Sequence, residues 1–299
     1  MRETDLIDAI RKLSASKAHR GLIKGIGDDC AVMRPRPGED LVFTTDFLLE
    51  GRHFEQATHS AADIGHKALA RSLSDLAAMG SEPAFCLVSL AVPRELTSRW
   101  IKGFYAGLLA LGSEYGVTIA GGDLAQFDKI VIDVMCCGRV PRGKAFLRSG
   151  AKPGDNIFVT CELGASAHGF ATRRGLSWRR HLRPQPRVAA GLALRRFGVT
   201  AAIDLSDGLS LDLARLCRES KVSAELKRPL PLARGATENQ ALHGGEDYEL
   251  LFTAPTQLEI PGHIGSLRVT RIGKIMRGNA GLVRLDGVPL SREGFDHFA

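Results

Sequence analysis

The chain has 299 residues, 44% of them hydrophobic and 24% charged, and a formal net charge of +7. This is average globular usage and excludes disordered, collagen-like and coiled-coil classes, while a length of about two times 150 residues predicts two domains, each large enough for a buried core. The longest apolar run, near Ala84 to Val92, is about half of a membrane-spanning helix, and the polar start Met1-Arg2-Glu3-Thr4-Asp5 lacks a signal peptide's apolar core, so no membrane partner and a cytoplasmic location are expected.

Asp5 to Leu13 reads as a short helix and Leu41 to Thr45 as a strand feeding Asp46. Ser60 caps a long helix to about Met79, with Ile64, Leu69, Leu73, Leu76 and Ala77 close to helical spacing and Gly80 as its stop. Pro83 to Val92 is β-rich. Trp100, Phe104, Leu108 and Leu111 form a helical stripe suited to core packing, ending at Gly112 to Gly116. Val117 to Ala120 is a short strand into Gly121-Gly122-Asp123, and Ile130, Ile132, Val134 and Cys136 alternate as a half-buried strand.

Gly143 to Gly154, with Pro141 and Pro153 alongside, is the richest punctuation in the middle of the chain. The domain junction is placed there, giving an N-terminal domain over 1–148 and a C-terminal domain over 149–299. The second half opens with strand Asn156 to Thr160, a Gly-rich turn and a helix at about Ser166 to Arg174. A second helix follows Pro186 and a third starts after Asp207-Gly208. Tyr248 to Thr253 and Arg268 to Ile275 read as strands, and Gly281 to Leu290 as a hairpin turning at Asp286-Gly287. The fold class is α/β (α+β), with two domains that each mix strands and helices.

Cys30, Cys86, Cys136, Cys137, Cys161 and Cys217 lie in apolar or strand-like contexts without a CxxC pair, which points to buried reduced thiols and away from disulfides or zinc. Arginines 173, 174, 179, 180, 183, 187, 195 and 196 supply much of the positive charge. Such a run reads as a solvated face, and without interleaved aromatics it is no single-strand binding surface, so nucleic acid is not an expected partner.

Six acidic segments carry the functional signal: GIGDD at 25–29, TTD at 44–46, SLSD at 72–75, GGD at 121–123, DLSD at 204–207 and GGED at 244–247. They read as carboxylates at strand-to-loop junctions. Gathered carboxylates repel one another strongly out of water, and an oxygen-only ligand set suits Mg²⁺, so the pattern points to a nucleotide site with several magnesium ions. Asp204 and Asp207 bracket Ser206 and converge if the first ends a strand and the second opens a helix. Asp75 falls late in its helix, where the negative end of the dipole makes a carboxylate unfavourable unless a cation or donor compensates it. Two familiar motifs fail. Gly25 to Cys30 lacks the third glycine of a dinucleotide fingerprint, and Gly138 to Ala145 places Ala145 where a P-loop needs Ser or Thr.

The segments GIGDDCA (25–31), TTDFLLEGRHF (44–54), KALARSLSDLAAMG (67–80), AGGD (120–123), RSGAKPGD (148–155), RHLRPQPR (180–187), AIDLSDGL (202–209), HGGEDYELLF (243–252) and GFDHF (294–298) resemble, in order and over nearly the whole chain, the thiamine-monophosphate kinases. The resemblance implies the fold of the aminoimidazole-ribonucleotide-synthetase superfamily, an N-terminal domain that forms a homodimer and binds ATP and magnesium, and a C-terminal domain that completes the nucleotide and substrate site. It implies conversion of thiamine monophosphate and ATP to thiamine diphosphate and ADP. Asp29, Thr45, Asp46, Asp75, Asp123, Asp204 and Asp207 then match magnesium ligands, with Thr44 as an added ligand oxygen. Tyr105, Gly122, Arg148 and Ser206 match positions that hold ATP, and His53, Glu246 and Phe295 match positions that hold the thiamine phosphate. Phe295 stands where Tyr or Trp is common, and its aromatic face suits a cationic thiazolium. Asp28 and Asp247 adjoin these groups without an assigned role. Asp46, Asp207 and Arg148 are the expected catalytic residues.

The chemistry agrees with a chain whose histidines are scattered. The attacking group would be a phosphate oxygen, already largely ionised at pH 7, so no general base is needed and positioning with charge neutralisation supplies the catalysis. The alternatives are another ATP-dependent synthetase of the superfamily, or a non-catalytic binder of thiamine phosphates or nucleic acid.

Overall fold

The computed structural model of the chain describes Ile10, Lys12, residues 21–24, residues 32–291 and Gly294. The chain divides into two compact units, Met1–Leu76 with Glu82–Gly143, and Ala77–Ser81 with Lys144–Ala299. Of the helix read over Asp5 to Leu13, Ile10 and Lys12 are helical and the rest lies outside the described residues.

The first unit holds a short ladder of β1 (Leu22–Lys24) with β2 (Val32–Met33) and a four-stranded sheet. Its strands are β3 (Glu39–Leu49), β4 (Glu82–Val92), β5 (Thr118–Gln126) and β6 (Val131–Pro141), in the order β3-β6-β4-β5. β6 runs antiparallel to both neighbours, and β4 is parallel to β5. Helix α1 (Ala61–Ala78) begins at Ser60, whose Oγ accepts from the Asp63 amide at 3.2 Å, as a capping residue does. Its stripe of Ile64, Leu69, Leu73 and Leu76 is fully buried, and Gly80 follows at φ 62. Ser72 Oγ donates to the Val134 carbonyl at 2.8 Å, which ties α1 to β6.

Helix α2 (Ser98–Tyr115) starts at Thr97, whose side chain accepts from the Trp100 amide, and stops at Gly116 in the left-handed conformation. Phe104, Leu108 and Leu111 are buried core, as their spacing requires. The two helices approach so closely that a Cβ at Gly65 would lie 1.9 Å from the Phe104 carbonyl oxygen, and one at Gly107 would lie 2.0 Å from that of Ala62. Glycine at both positions is thus a packing requirement.

Two sequence expectations change. Asp46 and Asp123 do not end strands: β3 pairs with β6 without a break from Glu39↔Pro141 to Leu49↔Val131, and β5 continues through Asp123, opposite Ser89, to Gln126. The ladder is made by backbone groups, so a polar side chain inside it does not end it.

The second unit is built on a mixed sheet in the order β14-β13-β9-β12-β7-β10-β8, with β11 (His263–Ile264) paired to β12. The strands are β7 (Asn156–Thr160), β8 (Ala201–Asp204), β9 (Ser223–Leu226), β10 (Leu250–Ala254), β12 (Leu267–Met276), β13 (Val283–Leu285) and β14 (Val288–Pro289). β13 and β14 form the expected hairpin, with Asp286 and Gly287 both at positive φ. Helices α3 (Ala165–Thr172), α5 (Val188–Leu194) and α6 (Leu209–Glu219) fall where the sequence places them. Two more, α4 (Gly175–Leu182) and α7 (Glu238–His243), were not foreseen. Ile157, Val159, Ile203, Leu251 and Ile275 of the sheet pack with Leu209, Leu213, Leu216 and Cys217 of α6 in one core. Among the described residues, Cys86, Cys136, Cys137 and Cys217 are buried free thiols and Cys161 is half-buried.

Gly107→Ala should lower the unfolding free energy by about 1–3 kcal/mol, because the added methyl meets a carbonyl oxygen fixed in α1. Urea denaturation checks this, and an unchanged midpoint would contradict the close crossing.

Candidate active site

In the first unit, α1 packs on the face of the sheet that carries Thr44 and Asp46. The Thr44 hydroxyl donates to Asp75 Oδ2 in the last turn of α1. This donor offsets the unfavourable placement of a carboxylate at a helix C-terminus. Arg71, one turn earlier, lies 3.3 Å from Asp46 Oδ1. Thr44 with Asp75, and Asp46 with Arg71, thus link β3 to α1 on one face of the sheet.

Thr45 points to the other face of the same strand, where its hydroxyl donates to Asp133 Oδ1 at 2.5 Å. The register sets Asp133 of β6 and Asp123 of β5 on either side of Ser89, on the face that Thr45 shares. Among the described residues, the expected ligands of this unit therefore form two groups, one on each face of the sheet. Gly122 is required by its surroundings, since a Cβ there would lie 1.9 Å from the Val88 carbonyl oxygen. Tyr105 is buried on α2 with its ring edge-on to Phe104, and burial raises its hydroxyl well above the usual tyrosine range, so it stays neutral. His53 is buried, and its Nδ1 accepts from the Leu49 amide at 3.0 Å. The fully buried Lys67 donates to the His53 carbonyl at 3.4 Å.

In the second unit, Asp204 is the last residue of β8, and Ser206 and Asp207 form the loop into α6. The GGED segment crosses this loop. The Glu246 amide donates to the Ser206 carbonyl at 2.7 Å, and the Tyr248 amide to the Leu205 carbonyl at 2.9 Å. A Cβ at Gly245 would lie 2.7 Å from the Ser206 carbonyl oxygen, which explains why the crossing residue is glycine. Glu246 and Tyr248 both sit at positive φ, 65° and 51°, a strained conformation for side-chain-bearing residues and one that clusters at functional sites. Asp204, Ser206, Asp207 and Glu246 are gathered at this crossing. Arg148 is exposed in a single 3₁₀ turn, Arg148–Gly150, whose carbonyl at Arg148 accepts from Ser220 Oγ at 2.5 Å. Gly294 abuts the Asp207 carbonyl; Phe295, like Asp28 and Asp29, lies outside the described residues.

Several partners were missed in the sequence. Arg215 Nη1 pairs with Asp207 Oδ2 and, at 2.9 Å, with Asp212 Oδ1. Asp212 Oδ2 also accepts from the Asp207 and Gly208 amides at 2.9 and 3.1 Å, which holds the loop at the start of α6. Burial, with Asp207 adding to it, pushes the Asp212 carboxyl up to about 6. The signal was present as Asp212 and Arg215 three apart on a helix, yet which acid they would face is set by the fold. Asp247 Oδ2 and Oδ1 accept from the Gly164 and Ser166 amides at 2.6 and 3.0 Å, at the start of α3. Burial raises its carboxyl to about 7 against the lowering effect of those two amides.

Among the described residues no group of three or more His, Cys, Asp or Glu side chains stands ready to hold a metal ion. The donor set nevertheless fits magnesium, which usually takes one or two carboxylates and completes its shell with water and substrate phosphate oxygens. No described helix is long and apolar enough to cross a membrane.

Comparison with known proteins identifies the class first. Residues 27–140 match the family model of the AIR synthase related protein, N-terminal domain. The Salmonella typhimurium thiamine-monophosphate kinase is 40% identical over 303 residues, covering 92% of each chain. A crystal structure of thiamine-monophosphate kinase from Stenotrophomonas maltophilia matches with a TM-score of 0.84 at 36% identity, over 97% of this chain and 98% of that one. AaThiL complexed with AMPPCP and TMP matches with a TM-score of 0.81 at 31% identity, over 100% and 99%. This chain belongs to the thiamine-monophosphate kinase family.

Because Asp247 binds its proton more tightly folded than unfolded, the folded state holds the extra proton between the ordinary 3.8 and about 7, and stability from this group falls as pH rises through that window. Asp247→Asn should remove this fall. Urea midpoints at pH 5 and pH 8 are expected to show the wild type losing stability relative to the variant at pH 8, and parallel pH dependences would contradict it.

Proposed function

We propose that this chain works in the cytosol as a magnesium-dependent homodimer that phosphorylates thiamine monophosphate with ATP, giving thiamine diphosphate and ADP. The observation that carries the reading is similarity along nearly the whole chain to thiamine-monophosphate kinases, one of them solved with AMPPCP and TMP. A phosphate oxygen of the acceptor attacks the γ-phosphorus of ATP, a new P–O bond forms, and the electron pair of the broken bond leaves with ADP. The attacking oxygen is already ionised, so no side chain has to remove a proton.

The chain's own residues bind and orient. Tyr105, Gly122, Arg148 and Ser206 hold the nucleotide, Tyr105 as a neutral hydroxyl. His53, Glu246 and Phe295 hold the thiamine phosphate, and the guanidinium of Arg148 stabilises the transferring group. Asp29, Thr44, Thr45, Asp46, Asp75, Asp123, Asp204 and Asp207 would hold magnesium, which would neutralise the phosphates and carboxylates. The domain division proposed is 1–148 for nucleotide, magnesium and dimer contacts and 149–299 for completion of the substrate site.

Dimerisation is supported by the sheet face opposite α1. Phe43 and Phe47 on β3 are 61% and 57% exposed there, beside Leu87 and Met135, an apolar surface that a second copy would cover.

Asp46→Asn or Asp207→Asn should lower turnover of ATP and thiamine monophosphate by about 100-fold or more with the fold intact. Chromatography of thiamine diphosphate and ADP, with circular dichroism as the fold control, checks it; wild-type turnover with unchanged magnesium dependence would remove that residue from the site. Phe43→Glu with Phe47→Glu should convert a dimer to a monomer in light scattering after gel filtration, and an unchanged mass would exclude this face.

A further inference from the structure

The arginine-rich stretch has no part in the chemistry above, yet its helix α4 carries one residue turned inward. His181 is buried, while most of the neighbouring arginines are exposed. Its ring stacks on Trp178 with centroids 5.1 Å apart and planes 12° from parallel, and Phe170 of α3 lies 5.3 Å away on a tilted plane. These contacts fix the ring plane and so the direction of its nitrogens. Nδ1 is 2.9 Å from Ser166 Oγ and 3.4 Å from Glu246 Oε2. An ionised carboxylate accepts and cannot donate, so the tautomer that fits this position carries its proton on Nδ1.

The backbone of Glu246 is held at φ 65° with its amide donating to the Ser206 carbonyl at 2.7 Å. Two arginines of the RHLRPQPR segment also meet acids. Arg180 lies 3.6 Å from Glu162, and Arg187 binds Glu249 through Nε at 2.8 Å and Nη2 at 2.5 Å. Basic segment and acidic strand end thus form the two sides of a small, solvent-open cleft of about 30 Å³, lined among others by Ser166, Arg180, Arg187, Glu246 and Asp247.

We infer that His181, itself bonded to Ser166, is a positioning residue that holds the Glu246 carboxylate in one orientation for the thiamine phosphate. The inference rests on the substrate role proposed for Glu246. It gives α4, in the middle of a run that reads as solvated charge, a specific task on the substrate side.

His181→Phe keeps a flat ring for Trp178 and Phe170 and deletes Nδ1; His181→Asn returns a nitrogen donor near the same place. For His181→Phe the KM and the calorimetric Kd of thiamine monophosphate should rise about tenfold, with kcat, the KM of ATP and the thermal midpoint unchanged. His181→Asn should recover most of the loss. In a Glu246→Gln background, His181→Phe should add little, because both changes remove one interaction. Wild-type KM and Kd in His181→Phe, additive effects with Glu246→Gln, or a loss spread equally over ATP binding, kcat and thermal midpoint would each overturn the positioning role. A wild type that neither binds nor turns over thiamine monophosphate would overturn the proposed function and this inference together. An active wild type beside an unaffected His181→Phe overturns the inference alone.

Discussion

Unscreened carboxylates repel one another, and a protein that collects them must give each a proton, a donor or a positive charge. The solution differs from residue to residue. Asp75 takes the Thr44 hydroxyl, Asp46 takes Arg71, and Glu249 takes the fork of Arg187. Asp207 and Asp212 share Arg215, and Asp212 also satisfies the two amides that open α6. Asp247 spends both oxygens on the amides at the start of α3. These compensations hold the acids in place before any phosphate arrives. A polyphosphate substrate adds negative charge, which is why divalent cations belong to the proposed chemistry, and no side-chain base is required because the acceptor oxygen is already ionised.

Backbone proximity is the second constraint. The loop bearing Asp204, Ser206 and Asp207 is crossed by residues 244–248, and the crossing is tight enough that Gly245 admits no side chain. The same economy of space appears where α1 meets α2 at Gly65 and Gly107, and where Gly122 lies against Val88. Rigid placement of the acids therefore depends on positions that carry no chemistry themselves. Positive φ at Glu246 and Tyr248 is the local cost of crossing the loop on the way into β10.

Much of this was legible in the chain because apolar period and burial are the same fact seen twice. The stripes of α1, α2 and β6 are, apart from the half-buried Trp100, the residues found buried, and Asp286-Gly287 announced its hairpin through the backbone angles it tolerates. The errors have physical causes. Gly-Gly-Asp and Thr-Thr-Asp resemble strand ends, but β5 and β3 run on through them because ladder pairing is made by amides and carbonyls. α4 was overlooked because its surface is arginine, and the buried His181 beside a half-buried Trp178 is too little to mark a period. Within the candidate site, the acids were visible as a set and their counterions were not. Arg71, Arg215 and Asp212 look like ordinary helical charges until the fold brings them to Asp46 and Asp207. That Thr45 and Asp46 face opposite sides of one strand follows from a period of two, yet the helical face was unknown until α1 was placed on it.

Direct transfer between two phosphates is the central claim. Incubation of the purified protein with magnesium, thiamine monophosphate and ATP labelled at the γ-phosphate tests it most directly. The account predicts the label in the terminal phosphate of thiamine diphosphate, one for each ADP formed, and none of either product when EDTA is present. Label released as inorganic phosphate, with thiamine monophosphate unchanged, would contradict it.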